Sequence, residues 1–323
     1  MDCKQCGEVL GVGSSFCEAC GAANGVPATL TPDSQVEPQN IGQHGVPCLC
    51  GHDDFDVDGI CDNCGRKQAY IARPVTIRLN DLTASATHRG LLHEENQDAC
   101  AIFSKDGTLG LAVADGVSTA CRAKEAAETA VTMALDVLQQ NSQLAPEQRL
   151  QLAVRLANQS ICDLPYDDQK LAEPEATLVL ALIEEGQLHY AWVGDSRLYV
   201  IKQNAVLQLT EDDSWMNQQI KAGISVDAAS KDRNAHCITQ CLGMRDDTPD
   251  IHIANMPLDD DVNVVLCSDG FWNYCDSQEA MLALFDSTSS VAEQCERLVD
   301  YANRQGGHDN ISVVLHRYYA SEI

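Results

Sequence analysis

The chain has 323 residues and a formal net charge of −27, from 48 Asp and Glu against 21 Lys and Arg. A field of that sign repels nucleic acid and anionic membrane surfaces and attracts divalent cations, so neither a nucleic-acid nor a membrane partner is expected. Hydrophobic residues make up 45% and aromatics only 5%, so the length allows one large domain or two smaller ones with a core built mainly from Val, Leu, Ile and Ala.

The N-terminus, MDCKQCGEVL, has neither a basic n-region nor an apolar h-region, and the longest apolar run, ATLVLALI, is strand-sized. A cytoplasmic location is therefore expected. Half of the 16 cysteines fall in the first 64 residues. Cys3, Cys6, Cys17 and Cys20 form two Cys-x-x-Cys knuckles, each followed by Gly. Cys48, Cys50, Cys61 and Cys64 repeat the arrangement with one knuckle tightened to Cys-x-Cys. Glycine after a knuckle permits the turn that aims amide N–H groups at thiolate sulfur. Each set reads as a tetrahedral structural Zn²⁺ site. Disulfides do not suit a cytoplasmic chain, and a duplicated four-cysteine set does not suit a redox pair. The expected organisation is a zinc ribbon over 1–22, a Pro/Gly/Gln-rich flexible linker over 23–46, a second ribbon over 47–70 and one domain over 71–319. DDFDVDG within the second ribbon imitates a calcium loop, but position twelve is Gly65, where such a loop needs Glu.

Beyond Arg73 short β-like runs appear: PVTIRL, DACAIF, LGLAVA, ATLVLALI, LHYAWV, RLYVIK, VNVVLC and ISVVLH. Helical periodicity marks 121–138, 146–161 with Pro146 in its first turn, and 291–304, opened by a Ser290/Glu293 capping box. Strands joined by hairpin-length turns such as Glu185-Gly186, with helices interspersed, predict an α+β fold of antiparallel sheets with helices on their outer faces.

Four aspartates end or adjoin these strands: Asp115 in LAVADGV, Asp195 in WVGDSR, Asp269 in VLCSDGF and Asp309 in GGHDNISVVL. A lone Asp-Gly is usually a turn. Four carboxylates at the ends of buried strands are costly unless the fold gathers them around a cation.

Five motifs in order, GLLHEENQDA, ADGV, EATLVLAL with WVGDSRLYV, CSDGFW and GGHDNISVVL, resemble those of the metal-dependent Ser/Thr protein phosphatases (PPM family, type 2C), bacterial type. The tracts QLTEDDSWMNQQIKAG and ITQCLG are similar to later family segments. The resemblance covers most of 74–318 and implies two antiparallel β-sheets packed as a central sandwich flanked by helices, here preceded by small zinc-ribbon modules. It implies hydrolysis of phosphoserine and phosphothreonine by water at a binuclear Mg²⁺ or Mn²⁺ centre. Hard cations of this kind take oxygen ligands.

On the family pattern Asp115 bridges the metals and the Gly116 carbonyl binds the first, while Asp269 and Asp309 bind the second. Asp195, with Asp269, would hold a third, weaker one. Asp98 would hold the water from one layer out, and Asn310 would orient its neighbours or contact phosphate. Arg197 is expected to be structural, and the three tryptophans to pack. Phosphoprotein substrates follow as partners, with a cognate Ser/Thr kinase as the natural counterpart. The ribbons would serve as partner or substrate adaptors.

Three departures stand out. His93 occupies the position of the phosphate-gripping arginine; it can donate to phosphate or act as general acid, or be merely packed beside Glu94 and Glu95. Ser118-Thr119 replaces the usual Gly-Gly. Asp212-Asp213-Ser214 replaces Asp-His-Ser. The first two leave a second reading open, a weak or inactive pseudophosphatase acting as a regulatory binding protein. A zinc-ribbon nucleic-acid binder is opposed by the charge and by the few basic residues of the ribbons.

Overall fold

The computed structural model describes residues 28–29, 63, 73–166, 172–245, 248–275, 277–286 and 288–320. The eight ribbon cysteines and nearly all of the linker lie outside the described residues. Two antiparallel six-stranded sheets are stacked face to face. The first runs β1 (Ala28–Thr29), β4 (Asp98–Lys105), β5 (Thr108–Asp115), β6 (Leu178–Glu184), β7 (Gln187–Val193), β10 (His252–Pro257). The second runs β2 (Val75–Arg78), β3 (Thr83–His88), β12 (Ile311–Tyr318), β11 (Val262–Cys267), β8 (Arg197–Lys202), β9 (Ala205–Gln208). The expected α+β sandwich is the observed one.

Three apolar layers hold it. Ile102, Leu111, Val113, Val179, Leu198, Val264, Leu266 and Val314 fill the space between the sheets. α1 (Ala123–Gln140) and α2 (Pro146–Cys162) cover the first sheet. Ala126, Ala127, Ala130 and Ala134 of α1 are fully buried, and their small side chains let the helix lie close to β4 and β5. α7 (Val291–Gln305) covers the second sheet through Cys295, Leu298, Val299 and Ala302. Its first turn carries the expected capping box, Ser290 with Glu293. Because both faces of each sheet are covered, central strands read as unbroken apolar runs.

Two hairpins fix the register of the first sheet. Asp106-Gly107 and Glu185-Gly186 have positive φ at both positions, 50° and 80°, then 50° and 72°. That is the turn whose twist matches paired strands. Short helices α3 (Trp215–Lys221), α4 (Val226–Ala229), α5 (Asp269–Trp272) and α6 (Gln278–Leu282) complete the fold. No helix among the described residues is long and apolar enough to cross a membrane.

β3 departs from the sequence reading, which placed no strand at TASATH. All six of its residues are buried in the middle of the second sheet. Two of its polar side chains are matched across the ladder: Thr83 with His316 at 2.9 Å, and Thr87 with Ser312 at 2.7 Å. Small polar residues, two of them paired across the ladder, fill an interior strand that periodicity alone does not reveal.

Candidate metal centre

Antiparallel pairing brings the predicted aspartates to one end of the sandwich. β4 begins at Asp98 and β5 ends at Asp115, and the two are direct cross-strand partners. Asp195 follows β7, Asp269 follows β11, and Asp309 precedes β12. The backbone beneath them is closely knit. Gly116 N–H donates to the Gln97 carbonyl at 3.1 Å, Asp115 N–H to Thr177 Oγ1 at 3.1 Å, and Thr177 N–H to the Asp115 carbonyl at 2.8 Å. A Cβ at Gly116 would collide with the Ala123 carbonyl, and one at Gly270 with the Asn310 carbonyl. Both Asp-Gly pairs are thus required by close approach rather than by turn geometry.

The carboxylates act on one another. Burial pushes Asp98 up to about 8; its hydrogen bond from Ser268 opposes the rise, and the charges of Asp269 and Asp309 add to it. Asp115 is raised by burial, then by Asp98, Asp269, Asp195 and Asp309. Asp269 is raised to about 6 by burial and by Asp309, against hydrogen bonds from Asp115, Gly270 N–H and Asn273. Asp195 is raised by burial, then by Asp269 and Asp212. Five aspartates from the ends of five strands therefore share one field.

A hard cation fits this set. Asp98 Oδ1 and Asp269 Oδ1 are buried without a hydrogen-bond partner, although each carboxylate's other oxygen has one, from Ser268 at 2.6 Å and Asn273 at 3.2 Å. Among the described residues no three His, Cys, Asp or Glu side chains already stand as a closed ligand group. Mg²⁺ and Mn²⁺ do not require one, since they retain several waters and accept backbone carbonyls.

His93 Nε2 lies 3.4 Å from Asp309 Oδ1. Its loop, 89–97, is fixed by Asn310. The Asn310 side chain donates to the carbonyls of Arg89 at 2.8 Å and Glu95 at 3.0 Å, and accepts from Gln97 N–H at 2.7 Å. Both amide hydrogens are committed, so Asn310 has no donor left for phosphate; of the two duties the sequence suggested, orientation is the one its contacts serve. Arg89 Nη1 donates to the His93 carbonyl at 2.6 Å, bracing the loop.

Residues 85–304, more than half of the chain, match the family described as Protein phosphatase 2C. The chain belongs to the protein phosphatase 2C family. It is accordingly a metal-dependent phosphoprotein phosphatase, in a family that uses Mg²⁺ or Mn²⁺. The serine/threonine phosphatase stp of Listeria welshimeri is 29% identical over 235 residues, 71% of this chain and 92% of that protein. The serine/threonine phosphatase PstP/Ppp of Mycobacterium tuberculosis superposes with a TM-score of 0.60 at 26% identity, covering 76% of this chain and 100% of its own. The catalytic domain of PstP in complex with two manganese ions superposes with a TM-score of 0.59 at 24% identity, over 76% of this chain and 99% of that one.

Within this protein phosphatase 2C domain, Arg197 is structural, as the sequence suggested. It forms a two-pronged pair with Asp212 at 2.9 and 2.7 Å, reaches Tyr199 Oη at 3.0 Å and lies 3.4 Å over the Trp272 ring. His308 is held by the Tyr274 hydroxyl at 3.0 Å. Trp192 and Trp272 are buried at element contacts. Sequence reasoning passed over Ser268, which grips Asp98 and also accepts from Ser312 N–H at 3.0 Å, and Thr177, which joins Asp115 N–H to Ser196 Oγ at 2.8 Å. Ser268 sits inside the CSDGFW motif, immediately before a candidate ligand, which was its only signal. Thr177 stood inside EATLVLAL, where it read as part of an apolar strand.

Proposed function

We propose that this domain hydrolyses phosphoserine and phosphothreonine on proteins, with water as the nucleophile, at a binuclear Mg²⁺ or Mn²⁺ centre. The observation that carries the reading is the convergence of buried carboxylates on one end of the sandwich, two of them with orphaned oxygens. Asp115 and the Gly116 carbonyl would hold the first cation, with Asp115 bridging; Asp269 and Asp309 would hold the second, and Asp195 with Asp269 a third, weaker one. Such cations supply a water that ionises near neutral pH and positive charge facing the phosphoryl oxygens.

The chain's own residues do the rest. Asp98 is fixed by Ser268 through Oδ2, leaving Oδ1 to accept a hydrogen bond from the attacking water and orient it. His93, beside Asp309, donates a hydrogen bond to phosphate and, in its protonated form, gives its own proton to the leaving alkoxide. Asn310 keeps that loop in place. The grip of one imidazole is weaker than that of a guanidinium fork. That substitution is also what favours the second reading, a metal-binding pseudophosphatase. The zinc ribbons act as adaptors that raise the local concentration of a partner or substrate. A cytoplasmic location and a cognate Ser/Thr kinase complete the reading.

The test is turnover of a phosphothreonine peptide by the full chain with and without Mn²⁺. Mn²⁺-dependent turnover, abolished in Asp115→Asn and lowered in His93→Ala, is expected. Mn²⁺ binding with no turnover would give the site to the pseudophosphatase. Elemental analysis of the same preparation should find about two zinc ions per chain, one for each four-cysteine set; a zinc-free protein with sixteen free thiols would remove the ribbons.

A further inference from the structure

The turn that carries Asp195 is gripped by one carboxylate from outside the cluster. Gly194, at φ +99°, donates its N–H to Asp213 Oδ2 at 2.9 Å, and Asp213 N–H returns to the Gly194 carbonyl at 3.0 Å. The second oxygen, Asp213 Oδ1, accepts from His252 Nε2 at 2.9 Å and from Gln240 Nε2 at 3.1 Å. On the opposite side of the turn, a Cβ at Gly194 would come within 2.7 Å of Thr177 Cγ2. The turn is therefore wedged between Thr177 and Asp213.

His252 is itself fixed. It is the cross-strand partner of Trp192 on the β10–β7 ladder, and its ring stacks on that indole with centroids 4.8 Å apart at 22°. Trp192 Nε1 in turn donates to the Glu211 carbonyl at 2.8 Å, two residues before Asp213. The neighbouring Asp212 is committed to Arg197, which leaves Asp213 to serve the turn. A histidine at 213, as in the related Asp-His-Ser tract, could not accept on two oxygens from Gly194 N–H and from a second side chain. Here a carboxylate stands at 213, and a histidine from β10 completes the arrangement. Asp195 is buried among the like charges of Asp269 and Asp212, and its turn is held there by Asp213 and by Trp272 Nε1, which donates to the Asp195 carbonyl at 3.0 Å.

We infer that Asp213 and His252 form a positioning pair that fixes the Gly194-Asp195 turn, and with it the Asp195 carboxylate, against the metal-binding carboxylates. The inference rests on the reading of Asp195 as ligand to a third, weaker cation. Neither residue touches substrate, and each acts through the turn.

The experiment is calorimetric titration of the full chain with Mn²⁺, with melting temperature recorded for every variant. Wild type should show a weaker site beyond the tighter ones, and Asp195→Asn should lose it. Asp213→Ala and His252→Ala should each weaken that site about 10-fold, the usual scale for residues that orient a ligand, and leave the tighter sites unchanged. The double variant should be no worse than the poorer single, since the two work as one unit. His252→Gln, which keeps an N–H donor, should recover most of the affinity. His252→Phe, which keeps only the stack, should not, and these two carry the test if the alanine variants do not fold. Wild-type titrations in both Asp213→Ala and His252→Ala, additive losses in the double variant, or recovery by Phe but not Gln would overturn the pair. An Asp195→Asn titration identical to wild type would instead remove the third-cation reading beneath it.

Discussion

Buried charge is treated in opposite ways at the two ends of the sandwich. At the end where β6 stops at Glu184, Arg149 of α2 is 1% exposed and pairs with Glu184 across the helix–sheet contact. Nearby on the second sheet, His316 is hydrogen-bonded to Thr83, and burial holds it down to about 4, so it stays neutral. At the other end Asp98, Asp115, Asp195 and Asp269 are all pushed upward, burial first. Arg197, whose charge reaches Asp195, is already bound to Asp212. One end pairs its buried arginine with a carboxylate of the chain, although Arg149 Nε and Nη1 keep no hydrogen-bond partner; the other gathers like charges that, on the proposed reading, a cation offsets. On that reading, the contrast separates residues that serve the fold from residues that serve the reaction.

The largest effect expected from breaking this contrast comes from Asp269→Asn. Loss of one electrostatic element of a site of this kind lowers turnover by about 10²–10³. In chelator the same variant should melt a few degrees higher than wild type, because an orphaned, like-charged carboxylate has become neutral. The rise in melting temperature that Mn²⁺ gives wild type should largely vanish. A variant that melts lower than wild type in chelator would mean that the carboxylates are not in conflict.

Arg149→Met probes the other end and should invert that pattern. Removing one partner of a buried pair costs about 3–5 kcal/mol, and the lower figure applies because Glu184 keeps a path to water. Urea unfolding should show that loss equally with and without Mn²⁺, while turnover per folded molecule stays at the wild-type level. A loss that Mn²⁺ rescues would tie Arg149 to the metal end.

The contrast also explains what was legible in the sequence. Asp115, Asp195 and Asp269 announce themselves because they interrupt apolar runs at strand ends, and the central strands do so because bulky apolar residues fill both faces. β3 was silent because TASATH fills its space with small polar groups whose partners, His316 and Ser312, lie more than 200 residues away. Ser268, Thr177 and His252 were silent for the same reason. Their chemistry is a hydrogen bond to a distant carboxylate or amide, and no local period or spacing records it. Asn310 was legible as a site residue. Its contacts to Arg89, Glu95 and Gln97, which hold the 89–97 loop, have no signature in the sequence.

The smallest effect sharpens the contrast through pH. His316 has a folded pKa of about 4 against about 6.5 in an unfolded chain. Between those values the unfolded state binds a proton that the folded state refuses, so stability is complete above about pH 6.5 and falls as pH drops toward 4. The raised carboxylates act with the opposite sign in chelator. With Asp98 at about 8 and Asp269 at about 6, the folded chain binds protons that the unfolded chain does not, and acidification over that range stabilises it. Comparing wild type with His316→Gln, both in chelator, cancels the carboxylate contribution, since the variant leaves that end intact. At pH 7 the variant should be the less stable, by about 1 kcal/mol for the disturbed bond to Thr83. By pH 5 the difference should shrink or reverse, because wild type alone has lost about 1–2 kcal/mol to the unmet proton. A gap between the two that is flat from pH 7 to 5 would show that the imidazole is not held neutral by burial, and the two ends would then no longer differ in sign.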